Sequence, residues 1–75
     1  MPTIEEIQQL VARQLGLRQV GPDDLLLEEL AAESADIANL VAAVEDKYPV
    51  QIKESEIAEI RTPADLFKLI QSRLP

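Results

Sequence analysis

Seventy-five residues without a single cysteine or histidine leave one route to a stable fold, the close packing of aliphatic side chains. Disulfide staples are excluded, and so is any nitrogen- or sulfur-ligated metal site. Thiolate nucleophiles and imidazole bases are excluded with them. A domain this small buries only about 60% of the surface its unfolded chain exposes, so its margin is thin. Aromatic residues make up 3% of the chain, so Leu, Ile, Val and Ala must supply the core. The length predicts one domain over residues 1–75, with no room for a second core.

The apolar spacing predicts helices. Thr3-Ile4-Glu5-Glu6 has the form of a capping box, after which Ile4, Ile7, Val11 and Leu15 recur at helical intervals until Gly16. Helix one is therefore expected over residues 3–16. Gly21-Pro22-Asp23-Asp24 is a turn signal, and Leu25, Leu26, Leu27 and Leu30 follow without clear periodicity. That segment reads as a long loop pinned to the core by its leucines.

A second helix is expected to start near Ser34, with Ile37, Leu40, Val41, Val44 and Tyr48 on one stripe and Pro49 as its stop. Ala35, Asn39, Ala42 and Asp46 fall on the opposite face. A short helix is expected around residues 54–59. Thr62-Pro63-Ala64-Asp65 then supplies an N-cap, a proline at the first helical position and an acid at the third. The expected fold is all-α: a small bundle of three long helices and one short one, with a long loop between helices one and two.

The net charge of −7 is unevenly placed. Residues 23–59 hold eleven acids against Lys47 and Lys53, a balance of −9, while the rest of the chain stands at +2. Such a segment repels nucleic acid and attracts a basic partner surface, although a solvated face would look the same. No stretch reaches the roughly 18 apolar residues of a membrane span, and the first ten residues lack the regions of an export signal. A cytoplasmic monomer without membrane insertion is expected.

By position alone Ser34 reads as a helix N-cap. Its surroundings say more. The run Leu26-Leu27-Glu28-Glu29-Leu30-Ala31-Ala32-Glu33-Ser34-Ala35-Asp36 resembles the acyl carrier protein signature: aromatic or apolar, any, acid, acid, Leu, Gly, small, Asp, Ser, Leu, Asp. Leu40 to Tyr48 is similar to that family's apolar helix ending in acids and an aromatic. Val50-Gln51-Ile52 resembles its extended link, Ile60 to Leu66 the opening of its last helix, and Thr3 to Leu17 its first helix.

The resemblance covers nearly the whole chain and implies a carrier with no catalytic residue and no metal. It implies that a phosphopantetheinyl transferase (a holo-acyl-carrier-protein synthase) moves 4'-phosphopantetheine from coenzyme A onto Ser34. Acyl groups would then ride on the arm as thioesters, presented to acyl-transferring and condensing enzymes with basic docking surfaces. The same resemblance implies partner contacts at Glu33, Ala35, Asp36, Asn39, Ala42, Asp46 and Glu54. It also implies an acyl pocket lined by Leu26, Ala38, Val41, Ile52, Ile57 and Ile60.

Several positions depart from the pattern: Glu33 stands for Asp, Ala31 for Gly, Ala35 for Leu, Asn39 for Glu, and Ala42 for a larger apolar residue such as Met. At about 0.8 kcal/mol per methylene, the leucine contact missing at Ala35 is worth roughly 2 kcal/mol to a generic partner. A specialised carrier with its own partners is one consequence. An aminoacyl or D-alanyl carrier of the same fold, and an unmodified acidic helical adaptor, are the alternatives.

Overall fold

The computed structural model describes residues 2–74 and contains four helices in the order α1 (Ile4–Leu15), α2 (Ser34–Lys47), α3 (Glu54–Ile57) and α4 (Pro63–Arg73), with no strand among these residues. α1 packs on both α2 and α4, while α3 packs on α2. No helix among them is long and apolar enough to cross a membrane. The third helix is shorter than expected, ending at Ile57 with Ala58 as its C-cap.

Local chemistry sets the helix ends. Thr3 Oγ1 accepts from the Glu6 amide at 3.2 Å, and Glu6 Oε1 accepts from the Thr3 amide at 3.3 Å. Gly16 closes α1 at φ 71°, in the left-handed region that glycine reaches at little cost, and the Leu17 amide then bonds Ala12 O at 2.8 Å. Thr62 repeats the box at α4, its Oγ1 accepting from the Asp65 amide at 3.1 Å, with Pro63 buried at the first helical position. α2 ends at Tyr48, whose half-buried ring packs on the core. Burial, and after it the negative charge of Glu6, raise the Tyr48 hydroxyl above the usual phenol range.

Ile7 and Val11 of α1, Leu40 and Val44 of α2, and Leu66 and Ile70 of α4 are all fully buried. The loop between α1 and α2 contributes a further fully buried side chain, Leu26, also at 0% exposure. That loop is ordered by hydrogen bonds along its length. Gln8 Nε2 donates to Val20 O at 2.7 Å, the Leu26 amide to Arg61 O at 2.9 Å, and the Ala64 amide to Pro22 O at 2.9 Å. Near its end the Ala32 amide returns to Leu26 O at 2.8 Å, which turns the chain toward α2.

Ala31 makes that turn at φ 56°. An L-residue with a Cβ pays for the left-handed region, by roughly 1–2 kcal/mol, and this is the position where the signature has Gly. Ala31→Gly is therefore expected to stabilise the fold by about 0.5–1 kcal/mol, part of the strain relief being offset by the freer unfolded chain. Thermal unfolding checks it; a melting temperature equal to or below that of the parent would show that the turn is unstrained.

Candidate functional site

Ser34 is the first residue of α2, not its cap. The N-cap is Glu33, in an extended conformation (φ −98°, ψ 167°), and its amide donates to Asp36 Oδ2 at 2.9 Å. Asp36 therefore fixes the helix start and is half-buried there. The Ser34 hydroxyl is exposed and makes no hydrogen bond among the described residues. The N-cap reading of Ser34 is thus corrected: its side chain has no local structural partner.

Beside Ser34 lies a cavity of about 150 Å³. Leu27, Ser34 and Ile37 form one side, and Ile57, Ala58 and Ile60 the other. Two of the six expected pocket residues, Ile57 and Ile60, line it. Leu26, Val41 and Ile52 are buried in the core instead. Ala38 is exposed, because the inward stripe of α2 runs through Ile37, Leu40, Val41 and Val44, and a step of one residue turns its methyl toward solvent.

Leu27, Ile37 and Ala58 were not legible as lining residues from sequence. The signal available was Leu27 itself: in a loop that buries its neighbour Leu26 completely, Leu27 stays 54% exposed, a large apolar side chain held at the rim of the cavity. The face opposite the α2 stripe is as expected. Ala35, Asn39, Ala42 and Asp46 are all exposed, and Glu33 and Glu54 are exposed nearby in sequence to the two ends of the cavity.

The family described as "Phosphopantetheine attachment site" matches residues 5–70. The chain belongs to the acyl carrier protein family. It is 32% identical over 74 residues to an acyl carrier protein of Helicobacter hepaticus, covering 96% of this chain and 97% of that one. It is 31% identical over 71 residues to an acyl carrier protein of Chlamydia trachomatis serovar D, covering 92% of each. The solution structure of oxytetracycline acyl carrier protein shares the fold, with a TM-score of 0.77 at 20% identity over 97% of this chain and 82% of that one.

Members of the acyl carrier protein family are carriers and not enzymes, and the group they are built to hold is phosphopantetheine. Membership implies exchange with a phosphopantetheinyl transferase and with biosynthetic enzymes. A carrier site differs from a catalytic one in what it asks of its serine. Among the described residues no base bonds this hydroxyl, and none is needed where a transferase supplies it.

A serine without a structural task is expected to be dispensable for folding. Ser34→Ala is expected to change stability by less than about 0.5 kcal/mol, whereas Thr62→Ala, which removes a working cap, is expected to cost about 1 kcal/mol. Denaturant titration of the two variants checks the contrast; equal losses would return Ser34 to a capping role.

Proposed function

We propose that the chain carries acyl groups as thioesters on a 4'-phosphopantetheine arm attached to Ser34 Oγ, residues 1–75 acting as one carrier domain. The observation that carries this reading is the exposed, unbonded hydroxyl at the first position of α2, opening directly beside an apolar cavity. In the attachment step, Ser34 Oγ forms a bond to the phosphorus of the pantetheine arm of coenzyme A. The bond to the adenosine-bearing phosphate breaks, and a base of the transferase takes the hydroxyl proton.

The resulting phosphodiester is an anion at the N-terminus of a 14-residue helix, where the macrodipole favours it. Glu33 and Asp36 oppose it. The half-buried Asp36 carboxylate is occupied by the Glu33 amide, which leaves Glu33 as the nearer exposed repulsion. Docking is assigned to the exposed face of α2, through Glu33, Ala35, Asn39, Ala42 and Asp46, together with Glu54. Small side chains at Ala35 and Ala42 present little relief there, so the partner must bring its own apolar projection along with its basic residues.

Incubation with coenzyme A and a phosphopantetheinyl transferase is expected to add one arm, and none to Ser34→Ala, as read by intact mass. An arm on Ser55 or Ser72, or on the Ser34→Ala chain, would refute the assignment.

The cavity supports sheltering of the cargo near its attachment point. Four methylenes separate octanoyl from butyryl, and at about 0.8 kcal/mol each their burial is worth up to roughly 3 kcal/mol. The octanoyl form is expected to melt above the butyryl form, and Ile57→Phe, which fills the cavity, to abolish the difference. Equal melting of the two forms in the parent chain would mean that the cargo stays in solvent.

A further inference from the structure

α3 is the least anchored element of the fold. It has four residues, far below the roughly 12–15 at which a helix is even marginally stable alone, and none of them is fully buried. Ile52 before it and Ile60 after it are buried, so the segment is fixed at both ends and loose between. It packs on α2, but its backbone makes no close approach to α4. Open grooves flank that gap, one of about 320 Å³ reaching Glu56 and Lys68, another of about 490 Å³ reaching Gln51 and Arg73.

Among the described residues, one side chain of α4 makes hydrogen bonds across the gap. Arg73, in the last turn of α4, forms an ion pair with Glu56 Oε2 in α3 and donates through Nη1 to Gln51 O at 2.8 Å. The other oxygen of the same carboxylate, Glu56 Oε1, accepts from the Lys53 amide at 2.9 Å, so Glu56 joins the start of α3 to the end of α4. The hydrogen bond from Arg73 holds the Glu56 carboxyl below the usual carboxylate range. Ile57, the next residue, and Ala58 form the outer wall of the cavity beside Ser34.

We propose that the Arg73–Glu56 pair is a latch that holds α3 against the bundle and so limits the length of acyl chain the cavity can shelter. The cavity grows only if its outer wall moves, and that wall is α3 and the turn after it. A pair that ties α3 to α4 opposes the movement, and every added methylene works against it. Arg73 and Glu56 thus act as specificity-determining residues without touching the cargo. This inference rests on Ser34 carrying the arm.

The experiment uses the full chain with Arg73→Ala and, separately, Glu56→Gln, whose amide oxygen keeps the bond from the Lys53 amide. In the unmodified protein, amide exchange at residues 54–60 is expected to quicken by about 1.5- to fivefold in either variant, the range of one partly exposed ion pair, with α1 and α2 unchanged. In the acylated protein, the melting advantage of octanoyl over butyryl is expected to be larger in both variants than in the parent. The double variant is expected to match the single ones.

Parent-like exchange at residues 54–60 would overturn the latch, and so would faster exchange spread over the whole chain. Faster local exchange with an unchanged octanoyl advantage would overturn its control of chain length. Failure of the transferase to load Ser34 would instead refute the carrier assignment, while the exchange measurement, made without any arm, still decides the latch.

Discussion

The position of Ser34 depends on Leu26. The loop from residue 16 to residue 33 separates α1 from α2, and closing a loop of that length costs roughly 2.5 kcal/mol in its length-dependent part alone. Complete burial of one leucine returns about 1.5–3 kcal/mol, which is the same size. Leu26 also engages its backbone on both sides, its amide on Arg61 O and its carbonyl on the Ala32 amide. The first bond ties the loop to the approach of α4. The second sets the turn through Ala31 that delivers the chain to Glu33. Val20 and Ala32, both buried, add to the same anchoring. Without Leu26 in the core, α2 would keep its stripe but its first turn would have no fixed relation to Leu27, and the cavity beside Ser34 would lose a wall.

Acidity in this chain is divided between two tasks. Seven of the fourteen carboxylates accept a backbone amide: Glu6, Asp24, Glu29, Asp36, Glu45, Glu56 and Asp65. Charge-assisted bonds of this kind are stronger than neutral ones, and in a fold with no staple they take over part of a staple's work. Glu45 shows it well, since its bond to the Ile52 amide at 2.9 Å ties α2 to the link that leads into α3. Asp23, Glu28, Glu29, Glu33, Glu45, Asp46, Glu54 and Glu59 are exposed, and these eight acids between residues 23 and 59 are the ones whose field a basic partner meets, Glu29 and Glu45 serving both tasks. A charge count over that segment cannot separate the two groups, because local bonding is invisible to it.

What the sequence revealed follows the range of the interactions involved. Capping boxes at Thr3 and Thr62 and the left-handed close at Gly16 are decided within four residues, and all three were legible. The α2 stripe was legible through its period. The cap at the start of α2 was not, since Ser34 is a better N-cap by type than Glu33, and the choice falls to Asp36 and to the direction in which the Ala31 turn brings the chain. Leu26 and Leu27 are identical in type and adjacent, so only the tertiary fold sends one into the core and the other to the rim. The pairing of Arg73 with Gln51 and Glu56 joins residues far apart in the chain, and no local pattern announces it.

These differences in range also divide the two sides of the cavity. On one side Leu27, Ser34 and Ile37 are set by a buried leucine, a bonded turn and the first turn of a 14-residue helix. That side is stiff. On the other side Ile57, Ala58 and Ile60 belong to a four-residue helix and the turn behind it, held by the buried Ile60, the half-buried Ile57 and side chains reaching in from α2 and α4. A carrier needs both. The attachment point must keep one geometry if transferase and client enzymes are to find the same serine, while the shelter must yield when cargo enters or leaves. Stiffness is bought with core burial, which a chain of 75 residues can supply only once, and it is spent on the side that carries Ser34. The yielding wall keeps Ile60 in the core and hangs the rest of α3 on polar ties, each weak enough to break alone.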